Sequence, residues 1–339
     1  MSDYTASNFS AAVSGGKWVH RWSWAVALTI FPLIWVGGLV TTQDAGMAVP
    51  DWPGTYGYNM FAYPVSAWVY GPFDLMVEHG HRLLGSLAGF LVICLCIAAW
   101  IDEPRRWVRW LCVGLLAAIV AQGLLGGARV VFDARTLAMI HGCTGPLVFA
   151  LAAAVVTVTS SWWKRDDKVL VSRGWFAWMT VGLFLATVVQ LALGAQLRHI
   201  QPWASPGFFT SLVHTHLTMA LLVLVMAIVV LAVSSTEQYR DLQGIRGLRL
   251  GIFGLLVVQI LLGCGTWIAN YALPLAGSAP ILSRYTIEIQ GYWESWIVTG
   301  HQATGSLIIV SALVFALRVW RQTKTTQQFD LSISHRPTQ

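Results

Sequence analysis

The sequence predicts an all-α integral membrane protein with eight transmembrane helices, arranged as two tandem four-helix bundles. Three observations predict it. Only 11% of the 339 residues are charged and 56% are hydrophobic, where a soluble domain carries roughly 25% charged residues. The apolar residues gather into eight runs, each near the roughly 20 residues that a bilayer core requires. The second half of the chain also repeats motifs of the first half in the same order.

The runs cover about 22–42, 77–100, 107–128, 137–163, 174–198, 211–233, 250–270 and 296–320. The segments between them alternate in charge. One set holds Lys17 and Arg21, then Arg105, Arg106 and Arg109, then Lys164, Arg165, Lys168 and Arg173, then Arg240, Arg246 and Arg249, and finally Arg318, Arg321, Lys324 and Arg336. The other set holds Arg82, Arg129, Arg135, Arg198 and Arg284. Basic residues stay on the cytoplasmic side, so both termini are expected in the cytoplasm of a bacterial cell, with the chain multi-pass in the cytoplasmic (inner) membrane. The domains that follow are a tail 1–21, a first four-helix repeat 22–163 with an outer loop 43–76, a second four-helix repeat 174–320, and a tail 321–339.

Composition also excludes some functions. A net charge of +6 could mean nucleic acid, but the basic residues lie between apolar runs rather than along one polar face. The 18 Trp suit the aromatic belts of a membrane interface. Cys94, Cys96, Cys112, Cys143 and Cys264 all lie inside apolar runs. Their spacing indicates neither zinc nor a disulfide framework, and they read as small core residues. The first twenty residues lack a signal peptide's apolar core and a transit peptide's arginine-rich pattern, so the first helix is expected to act as its own insertion signal.

The repeat is carried by specific residues. Gln122 and Gly126 on the third run match Gln259 and Gly263 on the seventh, and Gln190 and Gly194 on the fifth are related. His141 and Gly145 on the fourth run match His301 and Gly305 on the eighth; His81 on the second matches His216 on the sixth. Each repeat has an even number of spans, so the two copies share one orientation. The glycines permit close helix packing; with the glutamines they could equally leave room for a flat ligand.

Histidines inside membrane spans are costly and mark function. His81, His141, His216 and His301 occupy matched positions near the outer ends of the even-numbered helices. Two imidazoles on facing helices can hold one haem iron, as cofactor sites in helical bundles do. Zinc takes three or four ligands, and no repeated thiolate or carboxylate stands beside these histidines. One haem site per half follows: His81 with His141, and His216 with His301. His79 and His214 lie two residues before a ligand, about 200° round the helix; His214 stays a rival to His216. His199 reads as interfacial, and His20 and His335 as tail residues.

The halves differ. Glu78 lies one turn from His81 on nearly the same face, where the second half has Val213 before His216. A carboxylate there could take a proton or stabilise positive charge, or simply pair with Arg82 at the interface. The half with Val213 reads as a plain electron-transfer cytochrome. Arg82, Arg129 and Arg198 sit at outer helix ends, as bidentate partners for haem propionates or as interfacial anchors. The loop 43–76 is long, aromatic and rich in Gly and Pro, either a lid over the Glu78 pocket or a structural cap.

These motifs resemble the haem A synthase family. The segments Gly37-Gly-Leu-Val-Thr-Thr-Gln-Asp-Ala-Gly46 and Met47-Ala-Val-Pro-Asp-Trp-Pro53, Glu78-His-Gly-His81-Arg82, and Gln190 through Gly194 to Arg198 and His199 are similar to its motifs, and His141, His216 and His301 complete its four-histidine pattern. The resemblance covers roughly 20–320. It implies oxidation of the C8 methyl of haem O to a formyl group, by successive hydroxylation and loss of water, giving haem A for cytochrome oxidase. It places haem O between His81 and His141, haem b between His216 and His301, and Glu78 beside the reacting methyl. Its implied partners are haem O synthase and cytochrome oxidase assembly factors. The chain departs from the pattern twice: the first outer loop has no cysteine pair, and Leu217 follows His216 where many relatives have Arg. The competing reading is a di-haem, quinone-linked membrane cytochrome b, which leaves Glu78 and the long loop without a role.

Overall fold

The computed structural model describes residues 16–165, 171–172, 174–271 and 291–324. The outer parts of both tails, with Lys168, Arg173, Arg284, His335 and Arg336, lie outside the described residues. Among the described residues, eight helices are long and apolar enough to cross a membrane. They are α1 Lys17–Thr42, α2 Phe73–Asp102, α3 Arg106–Val131, α4 Arg135–Thr159, α5 Trp175–Arg198, α6 Pro206–Val233, α7 Arg246–Tyr271 and α8 Tyr292–Arg321. The departures from an all-α chain among the described residues are a two-residue parallel pairing of β1 Val171–Ser172 with β2 Thr323–Lys324 and an isolated antiparallel bridge between Thr55 and Tyr58.

Several helices begin earlier than hydropathy alone predicts, because their first turns are polar or capped by residues that break an apolar run. Pro72 precedes α2, whose first turn carries Asp74, so residues 73–76, expected in the outer loop, are helical. Ser205 Oγ accepts from the Phe208 N–H at 3.2 Å and Pro206 follows at the first position of α6, a favoured start. Gly291 precedes α8, with Glu294 in its first turn. His81, His216 and His301 consequently stand roughly two to three turns inside their helices. At the other end, α4 stops at Thr159 rather than running on to residue 163. Ser160 Oγ donates to the Thr157 carbonyl at 2.7 Å and accepts from the Trp163 N–H at 3.2 Å, ending one helix and starting the short Ser161–Lys164 turn.

The chain forms two compact units. The first holds residues 1–41, 45–134 and 147–164; the second holds 42–44, 135–146 and 165–339. Helix α4 divides at Pro146, which lies inside it, where proline removes a helical hydrogen bond. Each unit turns many large apolar side chains outward, among them Leu28, Ile97, Trp110, Leu221, Leu250 and Leu261. Lipid is the solvent for such surfaces.

In the first unit α2 packs along α3. Past its C-terminal end, Glu103 is fully buried and binds Arg105 at 2.7 Å and 2.9 Å. Desolvation pushes that carboxyl up, but the Arg105 bonds outweigh it and hold it below its ordinary range. In the second unit α8 packs against both α5 and α7. Of its most apolar stretch 56% is buried, against 11% for α7, so α8 is the central helix. An apolar core of Phe176, Leu183, Val223, Ile252, Phe315 and their neighbours fills one end of this unit. Gln190, Gly194, His216, Gln259, Gly263 and His301 all lie toward the other end of the same helices. Apolar packing and polar site are thus segregated along the unit's length.

Candidate functional site

In the second unit, each of two histidines faces a glutamine and a glycine from the preceding helix. His301 on α8 has its Nε2 3.3 Å from Gln259 Nε2 and its Nδ1 3.2 Å from the Gln259 carbonyl on α7. His216 on α6 has its Nε2 3.2 Å from Gln190 Nε2 on α5. A Cβ at Gly263 would stand 3.1 Å from His301 Cε1, and one at Gly194 would stand 3.2 Å from His216 Cε1. The Gln-x3-Gly spacing therefore seats an imidazole: glycine admits the ring edge, and glutamine, one helical turn earlier, meets its nitrogen. His216 and Arg198 both lie within electrostatic reach of His301. His214 is exposed, and the side chain that meets Gln190 and Gly194 is His216.

Arg198 is held at this end of the unit. Its Nη2 donates to Thr42 Oγ1 at 2.5 Å, and Thr42 pairs with Thr299 Oγ1 at 3.2 Å. The Gln43 amide bonds Ser295 Oγ. His141 belongs to this unit, as do Gly142 and His199, whose Nε2 would lie 3.7 Å from a Gly142 Cβ.

In the first unit, His81 has the glycine half of such a seat, made by Gly37 on α1; a Cβ there would come within 2.8 Å of His81 Cε1. Above His81, α2 is covered by the outer loop. Glu78 is 2% exposed, and both its oxygens are used. Oε1 accepts from Arg82 Nη2 and Oε2 from the Val49 N–H, each at 2.8 Å. Arg82 donates further to the carbonyls of Val49, Asp51 and Gly54, at 2.7 to 2.9 Å. Four of a guanidinium's five N–H groups are thereby committed to Glu78 and the loop. His79, buried on the same turn, is bonded through Nδ1 to Thr55 Oγ1 at 3.1 Å and flanked by Tyr63 and Trp68. Arg129 on α3 donates to the Gly46 carbonyl, and Trp52 packs where a Gly127 side chain would be.

The loop also binds itself. Asp51 accepts from the N–H groups of Tyr56 at 2.7 Å and Gly57 at 2.9 Å. Slight burial would raise its pKa, but these bonds and Arg82 hold it below the ordinary value. Among the described residues no three His, Cys, Asp or Glu side chains gather as a metal-ion ligand set.

Residues 20–205, more than half of the chain, match the COX15-CtaA family, described as cytochrome oxidase assembly protein. The chain belongs to this family. As a COX15-CtaA member with eight apolar helices, it is a multi-pass membrane protein. It is 24% identical over 176 residues to a haem A synthase of Halalkalibacterium halodurans, a match covering 51% of this chain and 57% of that protein. It is 27% identical over 227 residues to a haem A synthase of Bacillus licheniformis, covering 60% and 71%. With a haem A synthase of an Exiguobacterium species it shares 27% identity over 281 residues, covering 77% and 86%. The chain thus spans a little over half of the first relative's length and most of the third's.

Three features of this COX15-CtaA chain escaped the sequence reading. Gly37 was visible only as part of a motif, because no glutamine stands four residues before it; Leu33 does. The commitment of Glu78 and Arg82 to loop backbone leaves no trace in residue type. The Arg198–Thr42–Thr299 chain joins residues too far apart in sequence for any local pattern to signal.

Proposed function

We infer that this protein is a haem A synthase, which takes haem O from the membrane and oxidises its C8 methyl to a formyl group, with haem b as resident cofactor in the second unit. The observation that carries the reading is the pair of ring seats holding His216 and His301. Two nitrogen ligands are what a six-coordinate haem iron asks of a protein. The His301 Nδ1 faces a peptide carbonyl, which can only accept, so this nitrogen carries the proton and Nε2 keeps the lone pair that iron needs. The buried Oε1 atoms of Gln190 and Gln259 have no hydrogen-bond partner among the described residues, as befits a site made for a further group. The residues present therefore fit haem, which when bound supplies one-electron transfer.

The first unit supplies different chemistry. The repeat assigns His81, in this unit, to the substrate haem O, with His141 as its partner by sequence matching alone, and Glu78 stands one turn from His81 on a face sealed by the loop. A docked loop excludes water and raises the strength of charge interactions at the reacting methyl. Glu78 is the group there able to answer developing positive charge or accept a proton. Haem O synthase and cytochrome oxidase assembly factors are the partners this reading requires.

Purified protein is expected to show the spectrum of low-spin haem b, and cells supplied with haem O are expected to accumulate haem A. Extracted pigments identified by chromatography and mass test both. Low-spin haem without any haem A would point instead to a quinone-linked cytochrome.

We also infer that both termini face the cytoplasm and the histidine ends of the helices face outward. Reporter fusions after Arg106 and after Arg135 should report cytoplasm and exterior respectively. The reverse pattern would invert the topology.

A further inference from the structure

The two axial histidines of the second unit are not held alike. His301 sits on the central helix, and its Nδ1 donates to the Gln259 carbonyl at 3.2 Å. That carbonyl already serves the helix at Gly263, and its second lone pair takes the imidazole; the missing Cβ at Gly263 clears the approach. The bond fixes the tautomer and the ring plane. It also orients Gln259, whose amide N–H must be what meets the unprotonated Nε2. His216 lacks this support. Its Nδ1 is buried without a hydrogen-bond partner among the described residues, although Gly194 opens the same approach. With neither tautomer imposed, Gln190 can meet Nε2 with its N–H, or accept a proton from Nε2 through Oε1. In the second arrangement the nitrogen that must bind iron is protonated.

We propose that His301 is the anchoring ligand of the second-unit haem and His216 the exchangeable one, so that this haem presents on its His216 face a binding site for a small neutral iron ligand such as carbon monoxide. The proposal rests on the assignment of haem to this pair. A ligating histidine normally donates its other ring N–H to an acceptor, and losing such a partner costs roughly 10- to 100-fold in metal affinity. His216 starts without one. His301, with its Nε2 lone pair ready, would hold a haem without rearrangement, whereas His216 would have to carry its ring proton on Nδ1 before its Nε2 could bind. The weaker hold of His216 would let a small neutral ligand compete for its place.

The test uses full-length protein purified from a host that makes haem b, with haem per protein, spin state and carbon monoxide binding as readouts. His216→Ala is expected to keep its haem as five-coordinate, high-spin iron that binds carbon monoxide rapidly. His301→Ala is expected to lose haem on purification, its affinity down by roughly 10- to 100-fold. Equal retention in the two variants, or better retention in His301→Ala, overturns the proposal while leaving the haem assignment standing. Wild-type protein without haem b overturns the assignment itself, and the proposal with it. Should an alanine variant fail to fold, Gly194→Ala and Gly263→Ala decide the matter by nudging one ring each. Gly194→Ala should speed carbon monoxide binding roughly tenfold with haem retained, and Gly263→Ala should instead lose haem. Equal carbon monoxide rates and equal haem content in the two glycine variants overturn it.

Discussion

Glu78→Gln is expected to abolish haem A formation while haem b stays bound and spectrally normal. The carboxylate is buried with Arg82, their side chains 3% and 8% exposed. An amide in its place offers one acceptor and presents an N–H₂ group toward either Arg82 or the Val49 N–H, donor against donor. Removing one partner of a buried ion pair costs about 3–5 kcal/mol, here concentrated where the loop meets α2. Two consequences separate the roles of Glu78. Amide exchange at Val49 should rise by roughly 100-fold or more, as that energy implies. Arg82→Ala should loosen the same loop but keep the carboxylate, so haem A formation should fall yet remain above that of Glu78→Gln. Equal loss in both variants would make Glu78 a loop anchor alone. Full haem A yield in Glu78→Gln would remove it from the reaction, and haem b content serves throughout as the check on folding.

The membrane architecture was legible because lipid imposes it by length and composition. Eight apolar runs can satisfy their backbone groups only as helices, and the described residues hold eight such helices. The boundaries were legible where polar residues follow the end of an apolar run, as at Thr42, Arg198 and Val233. Polar first turns such as Phe73–Asp74 carry no hydropathy signal. At the site, position was legible and bonding was not. A repeat pairs His216 with His81 and His301 with His141, and a Gln-x3-Gly spacing marks a face. Neither says that the Gln259 carbonyl reaches His301 while Gln190 does not do the same for His216. The same holds for Arg82: a sequence shows an outer cation fit for propionates, whereas four N–H bonds to Glu78 and the loop carbonyls depend on how residues 49–54 turn.

Gly37→Val should lower haem A formation by roughly 100-fold without touching haem b. Gly37 lies on α1, five residues after Pro32, and faces His81 more tightly than either glycine of the second unit faces its histidine. A Cβ at this position would come within 2.8 Å of His81 Cε1 and 3.3 Å of Nδ1. Valine adds two methyl groups with a restricted rotamer in a helix, so the imidazole has to move and the helix cannot yield. Misplacing a reactant by about 1 Å costs on the order of 100-fold in rate, and a ring that positions the substrate haem transmits its displacement to the methyl. The second unit keeps its own seats, so the low-spin haem b spectrum should be unchanged. Gly89→Ala is the control on the neighbouring helix. Nothing lies within 4 Å of a Cβ at Gly89, and alanine favours the helix by about 1 kcal/mol, so haem A yield and haem b content should both match the wild type. Normal haem A formation in Gly37→Val would show that His81 does not need this seat, and would take His81 out of the substrate site as drawn from the repeat.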